Sequence, residues 1–89
     1  MSLFRSTTQV LSTSYGSAIT IEDGARSISV TLDDAEIGFM VRIAGANEES
    51  VPAGSGWELR PPPPGLSDDL DIEILADEGT PTASVIWFR

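Results

Sequence analysis

The chain has 89 residues and a net charge of −9, from fourteen acidic residues and five arginines, and it contains no histidine, cysteine or lysine. The missing residue types supply most general bases, soft metal ligands, thiol nucleophiles and Schiff-base amines, so we predict that the protein is not an enzyme. Its negative charge repels phosphates, which argues against binding to nucleic acid or to an anionic membrane.

The first segment is polar and rich in serine and threonine. We interpret residues 1–7 as an N-terminal arm, either a frayed terminus or a segment that lies on a neighbouring subunit with Phe4 as its anchor. The first strand is predicted over residues 8–13. Residues 1–20 lack a basic segment followed by an apolar block, and no stretch approaches the roughly 20 apolar residues of a membrane span. We therefore expect synthesis in the cytoplasm without export.

Two alternating runs flank an Asp-Gly turn. Residues 17–21 and 26–32 place apolar side chains at every second position, and Asp23 and Gly24 lie between the two runs. In the second run the intervening positions hold serine and threonine. This pattern predicts a β-hairpin with one face toward water.

Residues 37–44 fit two interpretations. Their apolar positions match a short helix capped by Asp34, and they also match a strand. Gly38 disfavours a helix, whereas the β-branched and aromatic content favours a strand. We predict a strand here.

The middle of the chain is rich in loop-forming residues. We predict a loop over residues 45–56 with a short extended piece at residues 50–52, followed by a strand over residues 56–60. Arg60 then enters four consecutive prolines, which cannot donate to a ladder and favour polyproline II. Residues 60–66 are therefore predicted to form a proline-rich crossing on the surface.

The last third of the chain predicts two further strands. Residues 70–76 alternate strictly, and residues 82–89 carry apolar side chains on both faces. A strand that is apolar on both faces is covered on both sides, so we expect the last strand to be central or to lie at a subunit contact. Together these patterns predict an all-β fold, a small β-sandwich or jelly-roll-like barrel of six to eight short antiparallel strands, in one domain over residues 1–89.

The acidic residues do not form a convincing site. Paired carboxylates could serve a glycosidase, but a chain this short has little room for a substrate cleft. The densest group is Asp68, Asp69, Asp71 and Glu73. The last three occupy alternate strand positions, so they spread by ~7 Å per two residues along one face and do not enclose a cation. We interpret them as a solvated face and predict no metal, no cofactor and no small-molecule substrate.

Three aromatic residues could form a sugar-binding platform: Trp57, Trp87 and Tyr15. The alternation places both tryptophans beside apolar neighbours of their own strands, which favours the core over a platform. The five arginines suit contacts with the acids of a neighbouring subunit, because arginine is enriched at interfaces; codon usage is the alternative explanation.

Three stretches carry a resemblance to a known class of proteins: residues 24–30, residues 51–59, and Gly79-Thr80 together with residues 83–87. They resemble small virion proteins of tailed bacteriophages, in which a strand, a loop with Pro-x-Gly and a closing apolar strand recur. The resemblance implies a capsid decoration, or cement, protein that has no active site. Such proteins are commonly homotrimers on the capsid surface of the virion, bind the major capsid protein and are made in the host cytoplasm.

The sequence leaves two functions open. The first is a structural virion protein that decorates and stabilises a phage capsid through protein–protein contacts, which we place at Phe4, Arg5, Arg60 and Pro62. The second is a tail-associated or receptor-binding β module that recognises a glycan on a host surface. The second function requires exposed tryptophan or tyrosine rings.

Overall fold

A computed structural model describes residues 4–43 and 48–89, which form eight strands and no helix. The strands are β1 (Phe4–Val10), β2 (Ile19–Ile21), β3 (Ser27–Leu32), β4 (Phe39–Ile43), β5 (Glu48–Val51), β6 (Trp57–Leu59), β7 (Leu70–Ala76) and β8 (Thr82–Phe88). They make two four-stranded antiparallel sheets, with the orders β1-β8-β3-β6 and β2-β7-β4-β5. The predicted all-β sandwich is confirmed, and the two sheets do not close into a barrel.

The strand order follows from rolling up one long antiparallel ribbon. The ribbon pairs β1 with β8, β2 with β7, β3 with β6 and β4 with β5. The two strands of each successive pair are therefore closer together in the sequence than those of the pair before. Two further ladders, β3–β8 and β4–β7, join these pairs into sheets. Eight strands in this order are a jelly roll, which consists of two Greek keys.

One hydrophobic core lies between the sheets. Alternate residues of the central strands are fully buried, among them Val85 on β8 and Ile74 on β7. Strand β8 lies between β1 and β3, so the expectation that the last strand is central is confirmed. The buried cluster contains Leu11, Ile21, Ala25, Ile28, Val30, Phe39, Val41, Val51, Trp57, Ile72, Ile74, Ala76, Ala83, Val85 and Trp87.

Side-chain contacts tie the two sheets together along their open sides. On one side Trp57 Nε1 of β6 donates a 2.6 Å hydrogen bond to Glu49 Oε2 of β5. On the opposite side Arg5 Nε of β1 lies 3.0 Å from Glu22 Oε1, next to the end of β2. These side-chain contacts link the facing edges of the two sheets, which the backbone ladders do not join.

The predicted hairpin at Asp23-Gly24 is wrong. Strands β2 and β3, on either side of this turn, belong to different sheets, because β2 pairs with β7 and β3 pairs with β6 and β8. Gly24 has a φ of +86°, so the turn needs glycine, but it carries the chain from one sheet to the other. An Asp-Gly sequence predicts a tight reversal of the chain, but it does not predict which strand the following segment pairs with.

The first strand begins earlier than predicted. Strand β1 covers Phe4–Val10, so residues 4–7 of the predicted arm belong to the sheet, whereas residues 1–3 lie outside the described residues. The reason is that β1 is an edge strand whose first three residues are all exposed, which hides the alternation. Residues 37–44 contain a strand as predicted, at Phe39–Ile43, and residue 44 is not described.

The proline-rich crossing is held by the turn between β2 and β3. Within the crossing the N–H of Gly65 donates to the carbonyl of Pro62 at 2.7 Å. The N–H of Leu66 donates to the carbonyl of Ala25 at 3.0 Å, and the N–H of Gly24 donates to the carbonyl of Leu66 at 2.8 Å. The crossing is therefore anchored by backbone hydrogen bonds at its C-terminal end.

Substitution of Gly65 tests how tightly this crossing is held. Gly65 has a φ of +121°, and an added Cβ would lie 2.7 Å from the carbonyl oxygen of Gly24. We expect Gly65→Ala to lower the free energy of unfolding by on the order of 2 kcal/mol in urea titrations, from backbone strain and this clash. Gly16→Ala, whose Cβ would meet only ordinary contacts from 3.5 Å, is the control and should be nearly neutral. Equal stability of the two variants would contradict the described anchoring.

Candidate interaction surface

The outer face of the β1-β8-β3-β6 sheet carries mostly hydroxyl side chains. Because side chains alternate along each strand, the registers of these four strands identify the outward residues. We call this surface the hydroxyl face; its hydroxyl-bearing members are Ser6, Thr8, Ser27, Ser29, Thr31, Thr82 and Ser84. Within the four strands its one acidic member is Glu58, on the edge strand β6.

The exposed large hydrophobic side chains of the described residues lie on the same face. The large hydrophobic side chains that remain exposed are Phe4 (51%), Val10 (69%) and Phe88 (44%). Phe4 and Phe88 are direct cross-strand neighbours, and their ring centroids lie 6.0 Å apart at an interplanar angle of 43°. Ile86 lies next to them on β8 and is half-buried. The hydroxyl face thus has an aromatic patch at one end of its β1 edge.

The opposite outer face, on the β2-β7-β4-β5 sheet, is strongly charged. Half of its outward strand residues carry a charge; the outward set is Thr20, Met40, Arg42, Glu48, Ser50, Asp71, Glu73 and Leu75. The charge of the molecule is therefore distributed unevenly between its two broad faces. A partner surface of any sign meets less electrostatic opposition at the hydroxyl face.

A compact polar cluster occupies the centre of the charged face. The Arg42 guanidinium lies 3.9 Å from the centroid of the Tyr15 ring and donates to Glu73 Oε1 at 3.0 Å through Nη2. The hydroxyl of Tyr15 donates to Glu48 Oε2. Each polar group of the cluster already has a partner within the chain, so the cluster fastens the loop after β1 to this sheet and offers no open binding position.

The cluster also changes the acidity of Tyr15. Burial of the phenol, its hydrogen bond to Glu48 and the negative charge of that carboxylate raise the pKa of Tyr15 from 10.0 to about 12, although the Arg42 guanidinium acts in the opposite direction. The phenol therefore ionises at a higher pH in the folded chain than in the unfolded chain.

The four contact residues predicted from the sequence lie on one sheet but at its two edges. Phe4 and Arg5 begin β1, and Arg60 and Pro62 follow β6 at the far edge. Three strand spacings, roughly 14 Å, separate these edges. The structure thus places the residues at the same end of the sheet in two separate pairs. Sequence reasoning missed Val10 and Phe88, because their common face with Phe4 depends on the β1–β8 register.

The arginines contact groups of their own chain. Arg5 contacts Glu22, Arg42 contacts Glu73, and Arg60 contacts Glu58. Arg89 lies 4.0 Å from Glu22, and the Nε of Arg26 donates to the carbonyl of Pro64 at 3.3 Å. Pairing with a neighbour's acids stays a prediction, and it would compete with these contacts within the chain. Exposed ion pairs of this kind contribute little to the free energy of unfolding, so their main effect is to neutralise charge locally.

The remaining candidate groups are dispersed or buried. Both tryptophans are 6% exposed, as the alternation predicted. In the acidic group, Asp69 accepts a hydrogen bond from the N–H of Asp23, Asp71 accepts one from Thr20, and Glu73 binds Arg42. Over residues 4–43 and 48–89, no three acidic side chains converge on a position suited to a metal ion. The same residues contain no helix that could cross a membrane.

Comparison with known proteins finds no relative of this chain. No family model matches the chain, and no curated protein and no solved structure matches it.

The ionisation of Tyr15 can be followed without interference, since it is the one tyrosine of the chain. We expect the tyrosinate absorbance to rise with a midpoint near pH 12 in the folded protein and at a lower pH in Glu48→Gln, which removes the carboxylate charge. By linkage, the stabilisation from this phenol is complete below pH 10 and is lost as the pH rises from about 10 through about 12. A midpoint near 10 in the unsubstituted protein would contradict the described cluster.

Tryptophan fluorescence tests the burial of Trp57 and Trp87. We expect blue-shifted emission that iodide quenches poorly, because both indoles lie in the core. The single variants Trp57→Phe and Trp87→Phe separate the two contributions. Red-shifted emission with easy quenching in either variant would show that the remaining tryptophan is accessible and could stack on a ligand.

Proposed function

We propose that the chain is a structural protein that decorates and stabilises the head of a tailed bacteriophage by binding its major capsid protein. The full sequence has no histidine, cysteine or lysine, so proton transfer by imidazole and attack by a thiol or an amine are not available to it. Binding to other protein surfaces is the activity that the remaining features support best.

The observation that carries this proposal is the character of the hydroxyl face. Phe4, Val10 and Phe88 are exposed on it, although the chain buries its other large apolar side chains in the described residues at least in part. Exposed aromatic residues surrounded by neutral polar ones are typical of the centre of a protein–protein interface. We assign the contact with the capsid to this face.

The charge distribution supports the same assignment. Interface centres are depleted in charged residues, because a charge buried without a partner is costly. The strands of the hydroxyl face carry one outward acid, Glu58, and this acid is already paired with Arg60. The charged face would remain in water, where its acids keep the particle soluble.

The proposal includes self-association and a place on the outer surface of the virion after synthesis in the host cytoplasm. A homotrimer is the assembly that the resemblance implies. The predicted contact residue Phe4 lies on the hydroxyl face, and Arg5 lies on the inward side of the same edge strand, β1. Recognition of a host glycan by a tail-associated module receives less support, because Trp57 and Trp87 do not present open ring faces.

The proposal is tested with particles of the phage whose genome encodes the chain. Purified heads are expected to contain the chain in a copy number comparable with that of the major capsid protein. Thr31→Glu places a carboxylate at an exposed position of the hydroxyl face, and it should bind heads that lack the chain at least about tenfold more weakly than the parent protein. Ser50→Glu adds the same charge on β5 of the charged face and should bind like the parent. Absence of the chain from purified particles, or equal binding of both variants, rules the proposal out.

A further inference from the structure

We infer that a second copy of this chain pairs with β1 along its open edge, so that the two β1 strands run antiparallel around a two-fold axis at Thr7. The inference rests on the self-association included in the proposed function, and it adds the surface and the symmetry. The pairing would join two four-stranded sheets into one sheet of eight strands with a continuous hydroxyl face.

Strand β1 has an open backbone edge. It is seven residues long and pairs with β8 on one side. Among the described residues, the hydrogen bonds of turns, loops and side chains do not reach the backbone of residues 4–10. About half of the backbone N–H and C=O groups of such a strand face the open side. It contains no proline and no lysine, the residues that commonly protect an edge strand from pairing.

The other edge strands are less suited to pairing. Strands β2 and β6 have three residues each, and β6 carries Glu58. Strand β5 begins with Glu48 and Glu49, which two acidic copies would bring together. Strand β1 has no acid, and its one charged residue, Arg5, is paired with Glu22.

The sequence of β1 is complementary to itself in one antiparallel register. With Thr7 opposite the partner's Thr7, Phe4 faces the partner's Val10 and Ser6 faces the partner's Thr8. The exposed aromatic ring would thus cover the most exposed large apolar side chain of the described residues, Val10 at 69%. Hydroxyl groups would face hydroxyl groups between these two apolar pairs.

The same register would provide a hydrogen-bond donor for a buried polar atom that lacks one. On the inward side, Arg5 would lie opposite the partner's Gln9. The side-chain oxygen of Gln9 is buried and has no hydrogen-bond partner among residues 4–43 and 48–89, while its Nε2 donates to the carbonyl of Ser17 at 2.9 Å. A guanidinium has five N–H donors, so Arg5 can keep Glu22 and still offer donors to the partner's Gln9. The two Arg5 side chains would be about 13 Å apart along the strands, too far for strong repulsion.

A two-fold pair differs from the homotrimer that the resemblance implies. A two-fold axis uses the same surface on both subunits, whereas a trimer needs two different complementary surfaces. The self-complementary register of β1 favours the two-fold pair.

The test is the mass of the purified full chain, measured by analytical ultracentrifugation over a range of concentrations, with charge-swapped variants. We expect the parent protein to form a dimer of two 9.5 kDa chains. Ser6→Glu/Thr8→Glu places like charges opposite each other twice per dimer and should raise the dissociation constant on the order of tenfold or more. Ser6→Lys/Thr8→Lys should do the same alone, and an equimolar mixture of the two variants should recover the dimer through opposite charges. Ser50→Glu/Ser55→Glu, at exposed positions outside β1, is the matched control and should dimerise like the parent.

Each outcome decides the inference. A dimer that the glutamate pair dissociates and the mixture restores supports the pairing and its register. A monomer at every concentration, a trimer, a dimer that tolerates the glutamate pair, or a mixture that stays monomeric overturns it; far-ultraviolet circular dichroism shows that each variant is folded. Particle binding is a separate measurement. A monomeric chain that still binds heads would overturn this inference and the self-association but leave the capsid contact standing, whereas a dimer that is absent from heads would overturn the proposed capsid contact alone.

Discussion

The pairing of the two ends of the chain, β1 with β8, is the contact on which the rest of the structure depends. Strand β8 lies between β1 and β3, and its inward residues Ala83, Val85 and Trp87 are buried. Without β8 the first sheet would separate into β1 alone and the β3–β6 pair. The fold therefore depends on a ladder between residues about eighty positions apart in the chain, which makes its formation costly in loop entropy and dependent on the burial that follows.

That ladder also determines what the surface presents. The β1–β8 register brings Phe4 beside Phe88 and extends the serine and threonine residues of β3 and β8 onto β1. The charged residues collect on the other sheet, where Arg42 and its acidic partners are satisfied within the chain. The molecule thus has one face that is rich in charged side chains and one face that has exposed apolar side chains and few charges. The proposed capsid contact and the proposed pairing of β1 strands both use this second face.

The sequence was sufficient for the fold class and for the strands that alternate strictly. Strands β3, β7 and β8 have the clearest two-residue period because they are central and most of their inward side chains are fully buried. Edge strand β1 was predicted late, since its exposed start at Phe4 shows no period. The partner of β2 was predicted wrongly, because local turn chemistry at Gly24 is the same whether the next strand stays in the sheet or leaves it. The hydroxyl face could not be read from any one segment, since it exists only when four registers are combined.

We propose that the molecule works by adhesion through β1 and the hydroxyl face. Amide hydrogen exchange, resolved by residue and measured at several protein concentrations, tests this claim most directly. We expect the amides of Phe4–Val10 that face the open edge, about half of them, to gain protection as the concentration rises, while the amides of the other edge strands, such as β2 and β6, keep the same exchange rates. Exchange rates in β1 that do not depend on concentration, or protection gained at β2 or β6 instead, would contradict it.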